Sequence, residues 1–151
     1  MRVLLSIRPE FVQKIFDGSK RYEYRKRIFC NKSVKRIIIY ATKPTGMIVG
    51  EFVLEGIIED TPLKLWQKTE KFSGIDYSFY QHYYKGYEKA VALKIGHIIK
   101  FEVPINPKDV FARFTPPQSF MYVTDQHIST PLLSKEVNSL LQTSFQSSMM
   151  L

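Results

Sequence analysis

The sequence has a single cysteine, Cys30, among 151 residues. An intramolecular disulfide is therefore excluded, and a reducing compartment is the natural setting. A lone thiol flanked by bases, without a histidine partner, reads as a small packing residue rather than a nucleophile. Histidine is nearly as scarce: His82, His97 and His127 share no metal-ligand spacing with one another or with Cys30, so no metal site is expected. Neither a GxxxxGK[ST] phosphate loop nor a GxGxxG turn occurs, which removes the nucleotide-binding motifs built on them. No apolar run approaches the roughly 20 residues that span a bilayer. The opening MRVLLSIRPE has neither the long apolar stretch nor the small-residue cleavage site of a signal peptide. The expectation is a soluble, cytoplasmic chain without membrane contact, metal or cofactor.

One segment is short of acid. Residues 20–36 read KRYEYRKRIFCNKSVKR, with eight of the chain's 22 basic side chains and one acid, Glu23. Nearly the whole formal net charge of +8 originates there. Concentrated charge makes a field that holds polyanions, whereas an even spread does little beyond aiding solubility. A bland reading stands beside this one, because lysines on an exposed edge strand also deter aggregation.

What is abundant is apolar and aromatic: 44% hydrophobic residues, with nine Tyr and eleven Phe, enough for one folded domain over 1–151. RVLLSIR alternates as a strand, which places Ser6 and Arg8 on one face. Pro9 opens a helix whose Phe11, Val12, Ile15 and Phe16 form an apolar side, and Gly18 ends it. In YEYRKR, alternation puts Arg21, Glu23, Arg25 and Arg27 on one face and Tyr22, Tyr24 and Lys26 on the other. RIIIYAT reads as a strand buried on both faces, KPTG as a turn, and MIVGEFVLEGIIED as a long strand bent near Gly50 or Gly56.

Residues 61–87 form a helical insert. Thr61-Pro62 caps LKLWQKT, Ser73-Gly74 separates it from IDYSFYQHYYKGY, and Phe79, Tyr80, Tyr83 and Tyr84 are expected to be that helix's packed face. Strands follow on each side of Gly96, then a short element in DVFARF, a strand in QSFMYVT, a helix over 132–141 and a frayed tail over 142–151. Helices that do not alternate strand by strand argue α+β, and a small, partly closed β-barrel with flanking helices is the geometry favoured.

LLSIRPEFVQKIFDGSKRYEYRKR, followed by a strand ending in YAT and by IVGEF, resembles the ASCH domains of the PUA-like superfamily. The hallmark Gly-x-Lys-x-x-Glu-x-Arg falls on Gly18, Lys20, Glu23 and Arg25. The resemblance is clearest over 4–55 and thinner over 89–123. It implies a PUA-like β-barrel with a cleft beside the motif, and a role in binding RNA or a nucleotide. Some relatives are amidohydrolases of acetylated cytidine that use a Lys, a Thr and a Glu. Lys20 matches the lysine, but the threonine position holds Glu23, which removes the hydroxyl nucleophile, and the expected acid has only Glu70 nearby. Other relatives resemble ribonucleases, for which Lys20, Arg25 and a tyrosine stabilise phosphate charge.

The leading expectation is thus an RNA- or nucleotide-binding module in RNA metabolism or its regulation. Lys20 and Arg25 neutralise phosphate, Glu23 accepts from a base or fixes Arg25, and Lys26 with Arg27 extends the electrostatic track. Ser6, Arg8, Tyr40 and Thr42 join from neighbouring strand ends. The alternative is a hydrolase acting on RNA or a modified nucleoside, with Lys20 and Glu23 in proton transfer. A third reading is a regulatory protein that senses a small metabolite.

Overall fold

The computed structural model describes residues 1–124. The expected helix over 132–141 and the tail over 142–151 lie outside them. Strand β1 (Arg2–Ile7) leads through Pro9 into helix α1 (Pro9–Asp17), whose end is set by Gly18 at φ 86°. The short strand β2 (Tyr22–Arg25) follows, then β3 (Arg36–Ala41) and the long β4 (Met47–Asp60). Between β4 and the next long strand lie α2 (Pro62–Thr69), a single 3₁₀ turn (Glu70–Phe72) and α3 (Tyr77–Tyr83). Strand β5 (Ala90–Ile105), helix α4 (Pro107–Val110) and β6 (Phe120–Val123) complete the described chain. The strands form one sheet of order β2-β5-β4-β3-β1-β6, in which only the β1–β3 pair is parallel.

The class is α+β as expected, but the sheet is not closed into a barrel. Strands β2 and β6 are its two edges, and no ladder joins them. The reason is the length of β2, which pairs with β5 over only four residues, Tyr22 to Arg25. A side chain bridges the open seam instead. The Arg25 guanidinium donates to the Ser6 carbonyl of β1 at 2.7 Å and to the Ser119 carbonyl just ahead of β6 at 3.4 Å. Lys26 and Arg27, expected to continue the strand, lie in an exposed bend. Arg21 also leaves the expected face: its backbone N–H donates to Phe72 O at 2.8 Å, and its guanidinium lies 4.5 Å from the Phe72 ring centroid.

The main core packs Val12 and Ile15 of α1 on Val3, Leu5 and Ile7 of β1 and Ile37 and Ile39 of β3. Each such side chain contributes about 1.5–3 kcal/mol through burial, so α1 and the loop after it are held firmly. A second core lies on the sheet's other side chains, from Leu4, Ile38 and Tyr40 to Phe101 and Phe111. A third joins the insert to the sheet through Tyr24, Leu65, Tyr80, Tyr84 and Ala92. Strand β4 shifts register beside Gly50 and Gly56, the glycines at which a bend was expected. At Gly96 the expected break is absent, since β5 runs straight through it; a Cβ there would come 2.9 Å from Val53 O, so glycine answers a close approach of β4.

Candidate functional site

A cleft of about 240 Å³ opens where the sheet fails to close, between β1, β2, the start of α1 and the insert. Its charged floor is built by β2 and the turn before it. Lys20 follows the Gly18 cap, and its backbone N–H donates to Lys14 O at 3.0 Å, which turns the side chain inward. There it is only 1% exposed. Its ammonium donates to Ser73 O at 2.9 Å, stands 3.9 Å from Glu23 Oε1, and lies 4.9 Å from the Tyr24 ring centroid and 5.4 Å from that of Phe11. Burial pushes the Lys20 ammonium below the usual lysine range, with Glu23 pulling it back and Arg25 and Lys14 adding to the depression.

The 73–74 turn is a clamp for this lysine. Gly74 sits at φ 68°, and a Cβ there would come within 2.4 Å of Lys20 Cβ. Lys14 Nζ donates to the Gly74 carbonyl at 3.0 Å, which ties the same turn to α1. Glycine is required twice over, by backbone conformation and by space.

Glu23 is buried beside Lys20. Arg25, half-buried, spends two N–H groups on the seam, while its Nε lacks a hydrogen-bond partner. Ser6 donates from Oγ to Pro117 O at 2.7 Å, so its hydroxyl proton is engaged. Arg8 stands at the rim over the rings of Phe11 and Phe79, at 5.5 and 5.6 Å. Phe11, Ile75, Phe79 and Tyr83 supply the apolar wall.

The cleft thus unites Ser6, Arg8, Lys20, Glu23 and Arg25. The remaining expected site residues lie elsewhere. Lys26 rests over the Tyr83 and Tyr87 rings at 4.5 and 4.9 Å, and Arg27 is exposed in the bend after β2. Tyr40 is buried in the second core, edge-on to Phe114 at 5.1 Å. Thr42 donates its N–H to Ile7 O at 3.0 Å in the turn after β3, and neither Tyr40 nor Thr42 lines the cleft. Glu70 is exposed on the 3₁₀ turn, also away from it.

The aromatic stripe of α3 divides. Tyr80 and Tyr84 enter the third core, whereas Phe79 and Tyr83 wall the cleft. Both pairs have i,i+4 spacing, and both are aromatic, so composition did not tell the core pair from the cleft pair. Burial raises the hydroxyl pKa of Tyr80, Tyr83 and Tyr84, and that of Tyr24 to about 12. Thr69 Oγ1 donates to Leu65 O, so the Tyr24 hydroxyl donates to Thr69 at 2.7 Å. These phenols are therefore neutral near pH 7 and offer hydrogen-bond donors and ring faces. Among the described residues no group of three or more His, Cys, Asp or Glu side chains gathers as metal ligands, and no helix is long and apolar enough to cross a membrane.

Residues 5–99 match the ASCH domain family. The chain is similar to an ASCH domain-containing ribonuclease of Zymomonas mobilis, at 32% identity over 126 residues that cover 80% of this chain and 82% of that protein. A crystal structure of ASCH from Zymomonas mobilis superposes with a TM-score of 0.78 at 30% identity, covering 92% of this chain and 94% of that one. Similarity also reaches large ribosomal subunit protein uL22 of Ureaplasma parvum, 34% identical over 124 residues, which are 80% of this chain and 39% of that protein.

Proposed function

The chain belongs to the ASCH domain family, and we propose that its cleft receives one unpaired nucleotide, free or within an RNA strand. The observation that carries this reading is the pairing of buried charge with open ring faces: Lys20, Glu23 and Arg25 at the floor, Phe11, Phe79 and Tyr83 at the wall. Unpaired bases are recognised by stacking on such rings and by hydrogen bonds to their edges, while basic groups take the phosphate. The volume of about 240 Å³ falls just below the roughly 300–1,000 Å³ that holds drug-sized ligands. One base fits; a duplex does not.

In this reading Arg25 and Arg8 face the phosphate, and Lys26 with Arg27 carries the field outward. Lys20, 3.9 Å away, orients Glu23, and Glu23 accepts from an exocyclic amine of the base. RNA affinity should fall with salt, with a slope on the order of −0.7 per phosphate neutralised on a single strand. Glu23→Gln sharpens the test, because removing a negative charge leaves nonspecific RNA retention unchanged or tighter. Discrimination among the four mononucleotides should drop in that variant; equal discrimination by wild type and variant would return Glu23 to a plain ion pair.

A second reading, cleavage of RNA, is favoured by the name of the Zymomonas mobilis relative, a ribonuclease. Lys20, depressed by burial and next to a carboxylate, is suited to proton transfer or to stabilising charge on a phosphorane. Gel analysis of labelled RNA after incubation separates the two: discrete products that vanish in Lys20→Met establish turnover, and intact RNA with retained binding establishes a binding module.

A further inference from the structure

Beside the cleft, the aromatic surface of α3 continues outward. The Tyr83 ring stands parallel to that of Phe79, at 6.5 Å and 10°, and Tyr87 follows the turn at Gly86 beyond the helix end, 47% exposed. Lys26 bridges the last two rings, its ammonium 4.5 Å from the Tyr83 centroid and 4.9 Å from that of Tyr87. The two cations that flank this strip differ. Arg8, over Phe11 and Phe79, is paired with Glu10 at 2.7 Å, so its charge is partly offset. Lys26 forms no ion pair among the described residues. Its ammonium lies over two ring faces at the edge of the cleft, within the most basic segment of the chain.

From this juxtaposition we infer that Lys26, Tyr83 and Tyr87 form a second nucleotide subsite, for the nucleotide adjoining the one in the cleft. The inference rests on the reading of the cleft as a nucleotide site. An exposed ammonium over a ring is weakly held. It can leave the ring for a phosphate oxygen, where the contact is charge-assisted, and a base then takes the vacated face of Tyr87. Tyr83 is shared, with one edge in the cleft wall and one face toward Lys26. The ligand class narrows accordingly to an unpaired strand of at least two nucleotides, because a base laid on Tyr87 beside another held in the cleft cannot remain in a duplex.

The test compares adenosine 5′-monophosphate with a hexa-adenylate RNA, titrated against wild type, Tyr87→Ala, Tyr87→Phe and Lys26→Met, with RNA integrity checked by gel after each titration. Wild type should bind the hexamer at least about tenfold more tightly than the monophosphate. Tyr87→Ala should lose about tenfold on the hexamer and nothing on the monophosphate, Tyr87→Phe should behave as wild type, and Lys26→Met should flatten the salt slope by about one contact. Monophosphate binding without any hexamer loss in Tyr87→Ala overturns the subsite and leaves the cleft reading intact; the ring strip then faces some other occupant, such as a protein. Equal losses on both ligands also overturn it, since they would place Tyr87 in the cleft's own support. Failure of wild type to bind either ligand overturns the cleft reading and the subsite with it.

Discussion

Two carboxylates are buried on this sheet, and they differ in what lies in front of them. Glu23 on β2 stands 3.9 Å from Lys20 and lines the seam cleft. Glu51 on β4, cross-strand from Ile38 of the second core, stands 3.7 Å from Arg2. Both Glu51 oxygens and Arg2 Nε are buried without a hydrogen bond. Burial pushes the Glu51 carboxyl above the usual range, with Arg2 and Arg36 pulling it back. Desolvation and an ion pair are therefore common to both places. What distinguishes Glu23 is a cavity with ring faces on its far side, and the lesson is that buried charge marks a site only where space adjoins it.

The largest effect should come from Lys20. Lys20→Met keeps the aliphatic packing against Gly74 but removes the ammonium, and nucleotide affinity should fall on the order of a hundredfold, while Glu51→Gln should bind as wild type. Lys20 also predicts a pH dependence. Its pKa in the fold lies below 10.5, so wild-type affinity should decline on the alkaline side before a free lysine would titrate. A decline beginning only above that value would show that Lys20 is not the group lost.

Next in size is the contrast of two left-handed glycines. Gly74 meets Lys20, whereas nothing lies within 4 Å of a Cβ at Gly18. Gly18→Ala should cost about 1–2 kcal/mol, for backbone strain alone. Gly74→Ala should cost about 2–5 kcal/mol, because overpacking is added to the same strain. Urea unfolding of the two variants checks the order, and equal costs would remove the clamp from the account.

The smallest effect concerns Glu51 and stability. Its pKa in the fold is raised above the ordinary value of 4.5, so the folded chain binds more protons than the unfolded chain between that value and the raised one. Stability contributed by this group therefore falls as pH rises through that window. Relative to Glu51→Gln, wild type should lose stability as pH rises from the acid side toward neutral. Parallel curves for the two proteins would show that Glu51 titrates normally.

Much of the frame was legible in local pattern. Pro9 and Gly18 bound α1, Thr61 caps α2 by accepting from the Lys64 N–H, and Ile37, Ile38 and Ile39 fill a strand buried on both faces. The Gly18-Lys20-Glu23-Arg25 motif led to the cleft, and Ser6 and Arg8 line it from the end of β1 and the start of α1, together with Ile7 between them, so alternation alone did not select them. Other features depended on contacts distant in sequence. The 73–74 turn looked like a separator between helices, yet it clamps Lys20, 53 residues away. A partly closed barrel was expected, and strand periodicity says nothing about whether the edges meet; β2 stops at Arg25, and a side chain spans the gap. Tyr40 and Thr42 stand at the end of an apolar strand as a cleft residue would, but the β3 face that carries Tyr40 packs on the second core.

The most direct test of the central claim is a calorimetric titration of mononucleotide into wild type, Lys20→Met and Glu51→Gln under one buffer condition. The account predicts binding by wild type and Glu51→Gln with equal affinity, and loss of binding in Lys20→Met with the fold intact by circular dichroism. Equal binding by all three proteins, or loss in both variants, would contradict it.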